Sequence, residues 1–526
     1  MTLGKAPTQE ELYRSSRAFC EERLAGTSIY RLLGRECHRL FPDEAFADLF
    51  VDIGRRSIPP RIVAVVMVLQ RIEGLSDREA VERFTFDIRW KYAAGGLDFE
   101  HRGFVHTVLV DMRERLRASK RPNRIFDAVL EVAREAGLVG RKRVLDSTAL
   151  YDAVATQDTV TLIRSAIRAV LRVAGDQLAR EIRGKLKRDD DYMQAGKPAC
   201  EWDDEQARDA LVDALARDAY AVLRLFDGRE TPATMKEALT LLATVVGQDI
   251  EQREDGVFRI ARRVAPDRVI STVDPEARHG HKTAARGFDG YKGHVAIDPD
   301  SEVITATEVT AGNAGDATVA AELLADVLSR SPAQEDKPAE IYGDSSYGTA
   351  DTVERIEQSG AEANVKVQPS ANRTGLFSQD AFRIDESAGT VRCPNGQLIQ
   401  LRRSSDGYGR ASFGDLCANC PLQAQCTTSK SGRVITTHPK LEVLQRSRAR
   451  QRDPQWKARY RATRPKVERK LSHMMRRRHG GRRVRMRGRT RIGHDFALLG
   501  ATVNLHRLAV LGVHFDARRW ACPTKA

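Results

Sequence analysis

The chain has 526 residues, 41% of them apolar, enough for more than one domain with a real core. The longest apolar run, Ile62–Leu69, is far short of a membrane span, and the start, MTLGKAPTQEEL, has no apolar signal region. These features argue against a secreted or membrane-spanning protein and predict a cytoplasmic one with no membrane partner. The net charge is +14 and is unevenly spread: from Lys440 to Asp495, 21 Lys or Arg stand against 4 acids, more than the excess of the whole chain. So concentrated a charge predicts a polyanion site.

Residues 1–138 read as helical. Arg61–Glu73 is an apolar helix ending at Gly74, and Ser76 with Glu79 has the capping-box spacing that opens a second helix. Phe86–Ala94 is a third. Helix, tight turn, helix resembles a helix-turn-helix, although an ordinary helical bundle fits the pattern equally well. His106–Ala118 and Asn123–Ala136 continue the series.

At Arg141–Leu150 the grammar changes to a short strand, Arg143–Leu145, followed by Asp146. Residues 153–264 then read as a helical insertion, with Leu162, Ile163, Ile167, Val170 and Leu171 at helical spacing. Extended character returns at Val269–Val273, at Gly290–Ile297 and at Glu302–Val309, the last two flanking a turn at Asp298–Ser301. An apolar helix is predicted over Ala317–Leu328. A strand then ends at Gly343 and delivers Asp344; Thr349 caps the next helix, and Ala363–Gln368 is a strand. The fold class is α/β, a mixed sheet flanked by helices over 139–370.

Residues 371–440 are rich in Gly, Ser, Asn and Cys. Cys393-Pro-Asn-Gly is a knuckle-like turn, Cys417 and Cys420 have the spacing of a zinc half-site, and Cys426 follows. Four thiolates would suit one structural Zn²⁺, with His438 as a substitute ligand; reduced structural thiols are the alternative. Residues 441–526 close the core. Leu441–Arg461 reads as a helix that Pro465 restarts or kinks, Arg464–His473 holds the single acid Glu468 among Lys, Arg and His, and Phe496–Val513 is an apolar closing helix.

Asp146 and Asp344 follow strands of one sheet, and Glu468 lies on a helix that could cross its end. Three hard oxygen ligands suit Mg²⁺ or Mn²⁺. Two such ions about 4 Å apart activate an attacking oxygen and stabilise a leaving one in phosphodiester chemistry. Should Asp146 not serve, Asp274 is the next candidate. The basic flank suits a phosphate backbone.

The order strand-Asp, hairpin, strand-Asp, insertion, helix-Glu resembles the DDE transposases of bacterial insertion sequences, which have an RNase H-like core. Tyr460, Arg464 and Glu468 resemble the Tyr-Arg-Glu-Lys signature of the IS-four-like group; Met475 stands at the signature Lys position, with Arg476 beside it. LDSTALYDAVATQDT, DPEARHG with GYKGHVAID, and the Cys-bearing insertion are similar to a large subgroup of these enzymes. The resemblance implies catalytic, metal-binding Asp146, Asp344 and Glu468. It implies DNA contacts from Tyr460, Arg464, Lys466, Arg469, Lys470, Arg476, Arg482, Arg483, Arg485 and Arg487. The expected partners are double-stranded DNA, as terminal inverted repeats and target, and a second copy of the chain. A structure-selective nuclease and a non-catalytic DNA-binding regulator are the competing functions.

Overall fold

The structure, a computed structural model, describes residues 15–51, 54, 56–153, 156–283, 286–329, 337–370 and 375–523. The stretch at residues 1–12 in which no apolar signal region is read, and the opening of the Cys-rich segment at 371–374, lie outside the described residues.

A six-stranded mixed sheet organises the middle of the chain. Its central strand, Lys142–Tyr151, pairs antiparallel with Arg286–Ile297 on one edge and parallel with Glu340–Gly343 on the other. Ile304–Ala311 and Arg278–Thr283 extend the antiparallel side, and Glu362–Val365 extends the parallel side. The hairpin turn forms as expected: the Asp298 carboxylate accepts from the backbone N–H of Asp300 and Ser301, each at 2.9 Å. Parallel neighbours need a crossover, and the helix Ala350–Gln358 supplies it, its Thr349 side chain accepting from Thr352 N. That crossover starts tightly: a Cβ at Gly348 would run into the Lys366 carbonyl, so only glycine lets the chain pass.

In and around the sheet, three expected elements differ. The first strand does not stop before Asp146 but runs on to Tyr151, because its hairpin edge stays paired as far as Gly290. Val269–Val273 is no strand; side-chain amides satisfy its backbone, with Gln248 bonding both N and O of Val269 and Gln157 accepting from Thr272 N. The helix expected at Ala317–Leu328 is broken into a 3₁₀ turn, Asp316–Val319, and two single turns, Ala320–Leu323 and Ala325–Leu328.

The N-terminal helices share one core with the end of the chain. Helix Pro60–Glu73 starts on proline and ends at Gly74 in the left-handed conformation (φ 68°), and nearly all its side chains are buried. It packs against the closing helix, Arg489–Val510, which also lies on Arg124–Glu135 and on the strand Ile304–Ala311. The capping box at Ser76 and Glu79 forms and opens helix Asp77–Phe86. The outer face of that helix carries Glu79 and Glu82 as well as Arg78 and Arg83, so it offers no uniformly basic recognition surface.

The insertion has a core of its own, built by helices Thr159–Val173, Asp176–Arg183, Glu205–Leu225 and Ala233–Asp249. The Cys-rich segment folds as two small three-stranded sheets around a few apolar side chains, among them Phe382, Val391, Phe413 and Ile435. Among the described residues no helix is long and apolar enough to cross a membrane.

Candidate active site

The parallel edge of the central strand sets the geometry. Val144 stands opposite Tyr342, and that register continued by two residues brings Asp146 level with Asp344, just past the end of the strand Glu340–Gly343. Each aspartate is held locally. The Asp146 carboxylate accepts from Ser147 N at 2.9 Å, and the Asp344 carboxylate accepts from Ser346 N at 2.9 Å.

Glu468 comes from the helix Pro465–Met474, which seats itself by burying Val467, Lys470, Leu471 and Met474. The preceding stretch is two helices, Leu441–Arg450 and Pro454–Thr463, where one was expected; Asp453 caps the second, with Pro454 in its first turn. Arg464 joins it to the glutamate helix with helical backbone angles (φ −57°, ψ −41°). Pro465 therefore does not turn the chain away, and Arg464 and Glu468 share a face as an i,i+4 pair.

The guanidinium of Arg464 lies between all three acids. It holds both oxygens of Asp146, at 2.8 and 3.1 Å, and approaches Asp344 at 3.6 Å and Glu468 at 3.5 Å. Exposure rises from Asp146 at 13% through Asp344 at 39% to Glu468 at 63%, so the cluster is closed at the sheet and open at the helix. Burial raises the Asp146 carboxyl above its usual range, against the pull of Arg464 in the other direction. Among the described residues no group of three or more His, Cys, Asp or Glu is arranged to hold a metal ion. The donor chemistry nevertheless fits one: three carboxylates already surround a cation, that of Arg464.

Tyr460 supports the same corner. Its hydroxyl donates to the Gly343 carbonyl at 3.1 Å, and Trp456 stacks on its ring with centroids 4.9 Å apart. Beneath the aspartates is a buried polar layer that the sequence pattern did not single out. The Tyr347 hydroxyl bonds His294 Nδ1 at 2.8 Å, and His294 Nε2 bonds Thr310 at 2.9 Å. Ser147 donates to Asp316 at 2.6 Å, and Lys292 bridges Asp316 and the Ala314 carbonyl, both at 2.8 Å. Burial lowers the His294 pKa to about 4, so the ring is neutral. The available signal was the alternation of Lys292 and His294 along a strand beside Ser147. Asp274 stands apart from the cluster, accepting from the Tyr291 hydroxyl and from Gly488 N.

The basic residues divide. Lys466 lies 3.5 Å from Asp300, and Arg469 pairs with Glu302, both at the hairpin turn. Lys470 contradicts the expectation of a DNA contact: it is 2% exposed, its ammonium turned inward 3.9 Å from Glu302, because its position falls on the packed face of the glutamate helix. The segment 482–484 runs alongside Tyr151, whose N–H and C=O bond Arg482 O and Val484 N. Arg483 donates to the Ala153 carbonyl, and Arg485 to the Leu75 carbonyl. Arg476 and Arg487 are exposed. The strap thus ties the end of the central strand to the turn between the N-terminal helices.

Cys393, Cys417, Cys420 and Cys426 all line one small cavity in the Cys-rich segment, and Arg433 N donates to Cys417 Sγ at 3.4 Å. None of the four is paired in a disulfide.

The comparison with known families is specific: a Transposase DDE domain matches residues 392–509, and a Transposase domain (DUF772) matches residues 20–115. The two matches together support recognition of the chain as a DDE transposase of an insertion sequence. The first spans Glu468 and the four clustered cysteines, and neither reaches Asp146 or Asp344. No curated protein and no solved structure matches the chain.

Proposed function

We propose that the protein binds the terminal inverted repeats of its element, cuts phosphodiester bonds at the element ends and joins the freed 3′-hydroxyl to target DNA. The observation that carries this reading is the convergence of Asp146, Asp344 and Glu468, from two strands and a helix more than a hundred residues apart, on one guanidinium. The strand order supports an RNase H-like core: four strands joined by antiparallel pairing, the first of the chain among them, then two added on its parallel side.

In this reading Asp146, Asp344 and Glu468 hold divalent ions, Mg²⁺ or Mn²⁺. Bound there, two ions would activate the attacking oxygen and stabilise the leaving one. The chain's own residues do the rest. Ser147 and Ser346 N–H groups fix the aspartate carboxylates, and Tyr460 pins the Gly343 carbonyl from which Asp344 hangs. The exposed arginines of the strap bind the backbone beyond the cut, and two copies of the chain hold the two ends.

The test is cleavage and end binding measured on the same variants. Asp146→Ala, Asp344→Ala and Glu468→Ala should each abolish nicking of end DNA while band shifts remain near wild type. Near-normal cleavage by Asp146→Ala would overturn the assignment. Failure of the wild type to join a 3′-end to target DNA, with nicking intact, would reduce the protein to a nuclease.

A further inference from the structure

Resting on that reading of the acidic cluster, we infer that Arg464 is a built-in counter-cation of the metal site: it holds the three carboxylates together, competes with divalent metal for them, and is released toward bound DNA as metal enters.

Three observations lead there. Arg464 takes both oxygens of Asp146 at once, at 2.8 and 3.1 Å, which are the oxygens a metal would need from the most buried of the three acids. The side chain is 9% exposed, and its Nε has no hydrogen-bond partner although it is buried. One donor of the guanidinium is thus left over for a further acceptor. The third observation is the direction of exposure. The cluster opens toward Glu468, which shares the helix face of Arg464, so the side chain has a path outward along its own helix.

Charge counting points the same way. Three ionised carboxylates carry −3, and Arg464 brings the cluster to −2. One divalent ion balances that, but a second leaves +2 with Arg464 still inside. An incoming phosphate relieves this, and a guanidinium displaced to the open side is placed to hold it in bidentate fashion. Arg464 is thus a positioning residue before metal arrives and a phosphate-holding residue afterwards.

The experiment titrates Mn²⁺ into the full chain without DNA, following free Mn²⁺ by electron paramagnetic resonance. The proteins are wild type, Arg464→Gln, Arg464→Lys and Asp146→Asn, each checked for a native melting transition. Arg464→Gln should bind Mn²⁺ about tenfold more tightly or better, since no guanidinium then has to be displaced from the carboxylates by the ion, yet cleave end DNA more slowly. Arg464→Lys keeps the charge but cannot hold two oxygens as a fork, and should fall between. Asp146→Asn should lose the binding. Unchanged or weaker Mn²⁺ binding by Arg464→Gln, with Asp146→Asn still deficient, overturns the inference and leaves the metal-site reading standing. Unchanged binding by Asp146→Asn overturns that reading itself. If Arg464→Gln does not fold, affinity of Arg464→Lys equal to wild type overturns the inference, and tighter binding supports it.

Discussion

Lys470 gives the sharpest test of how the glutamate helix is seated. Its ammonium is buried beside Glu302 on the face that packs against the sheet, two residues from Glu468. Burial pushes its pKa down from 10.5 to about 8, Glu302 pulls it up, and Arg507 and Arg469 push it further down. That shift is a folding cost of about 3 kcal/mol at pH 7. The sign follows from proton counting. Below about pH 8 both states carry the proton and the whole cost is present. Between about 8 and 10.5 the unfolded chain binds more protons than the folded one, so stability rises with pH. Lys470→Met keeps the length of the side chain and removes the titration, leaving Glu302 its pairing with Arg469. The variant should be more stable than wild type at pH 7, and that advantage should shrink by about 3 kcal/mol by pH 10.5. Urea unfolding at pH 7, 8.5 and 10.5 reads it as midpoint times slope. Comparing the two proteins at each pH cancels the titrating groups that Lys470 does not influence; His473 and His506, whose pKa values Lys470 helps to lower, titrate below the window in which the advantage shrinks. An advantage that does not vary with pH would refute the reasoning and put the ammonium in solvent, where it could reach DNA.

The remaining predictions concern the two basic regions and the cysteines. Neutralising several arginines within Arg482–Arg491 should weaken binding to any DNA and flatten its salt dependence by roughly 0.9 in slope for each phosphate left without its arginine; equal slopes would show that the strap serves only to tie the domains. Lys470→Met should leave that slope unchanged, because a buried ammonium has no counterion to release. Elemental analysis should find about one zinc per chain if the four thiols around the shared cavity close on an ion. A folded, zinc-free protein with Cys417→Ser as stable as wild type would reduce them to packed thiols.

The sequence made the local devices legible because each depends on a few adjacent residues. The Gly74 stop, the Ser76–Glu79 box, the Asp298 turn and the Thr349 cap were read from spacing and formed as read. Val269–Val273 reads as a strand because β-prone residues mark only a demand for backbone partners, and here two glutamine side chains, Gln248 on a helix and Gln157 in a loop, supply them. The Tyr347–His294–Thr310 layer is illegible for a related reason: His294 and Thr310 lie on neighbouring strands, Tyr347 lies in the turn after a third, and they meet only through the pairing of the sheet.

Arg464 and Lys470 show where charge alone misleads. Both belong to one run of basic residues, six positions apart, and composition gives them the same task. The helix separates them. Arg464 points to the rim of the sheet and finds three carboxylates; Lys470 falls among Val467, Leu471 and Met474 and is carried inward with them. A basic stretch on a packed helix therefore divides by face, and only the exposed part is free to meet phosphate. The burial of Lys470 costs stability, but it fixes the rotation of the helix, and that rotation aims Glu468 at Arg464 and through it at Asp146 and Asp344. Changing the packed face should move the glutamate as surely as changing the glutamate itself.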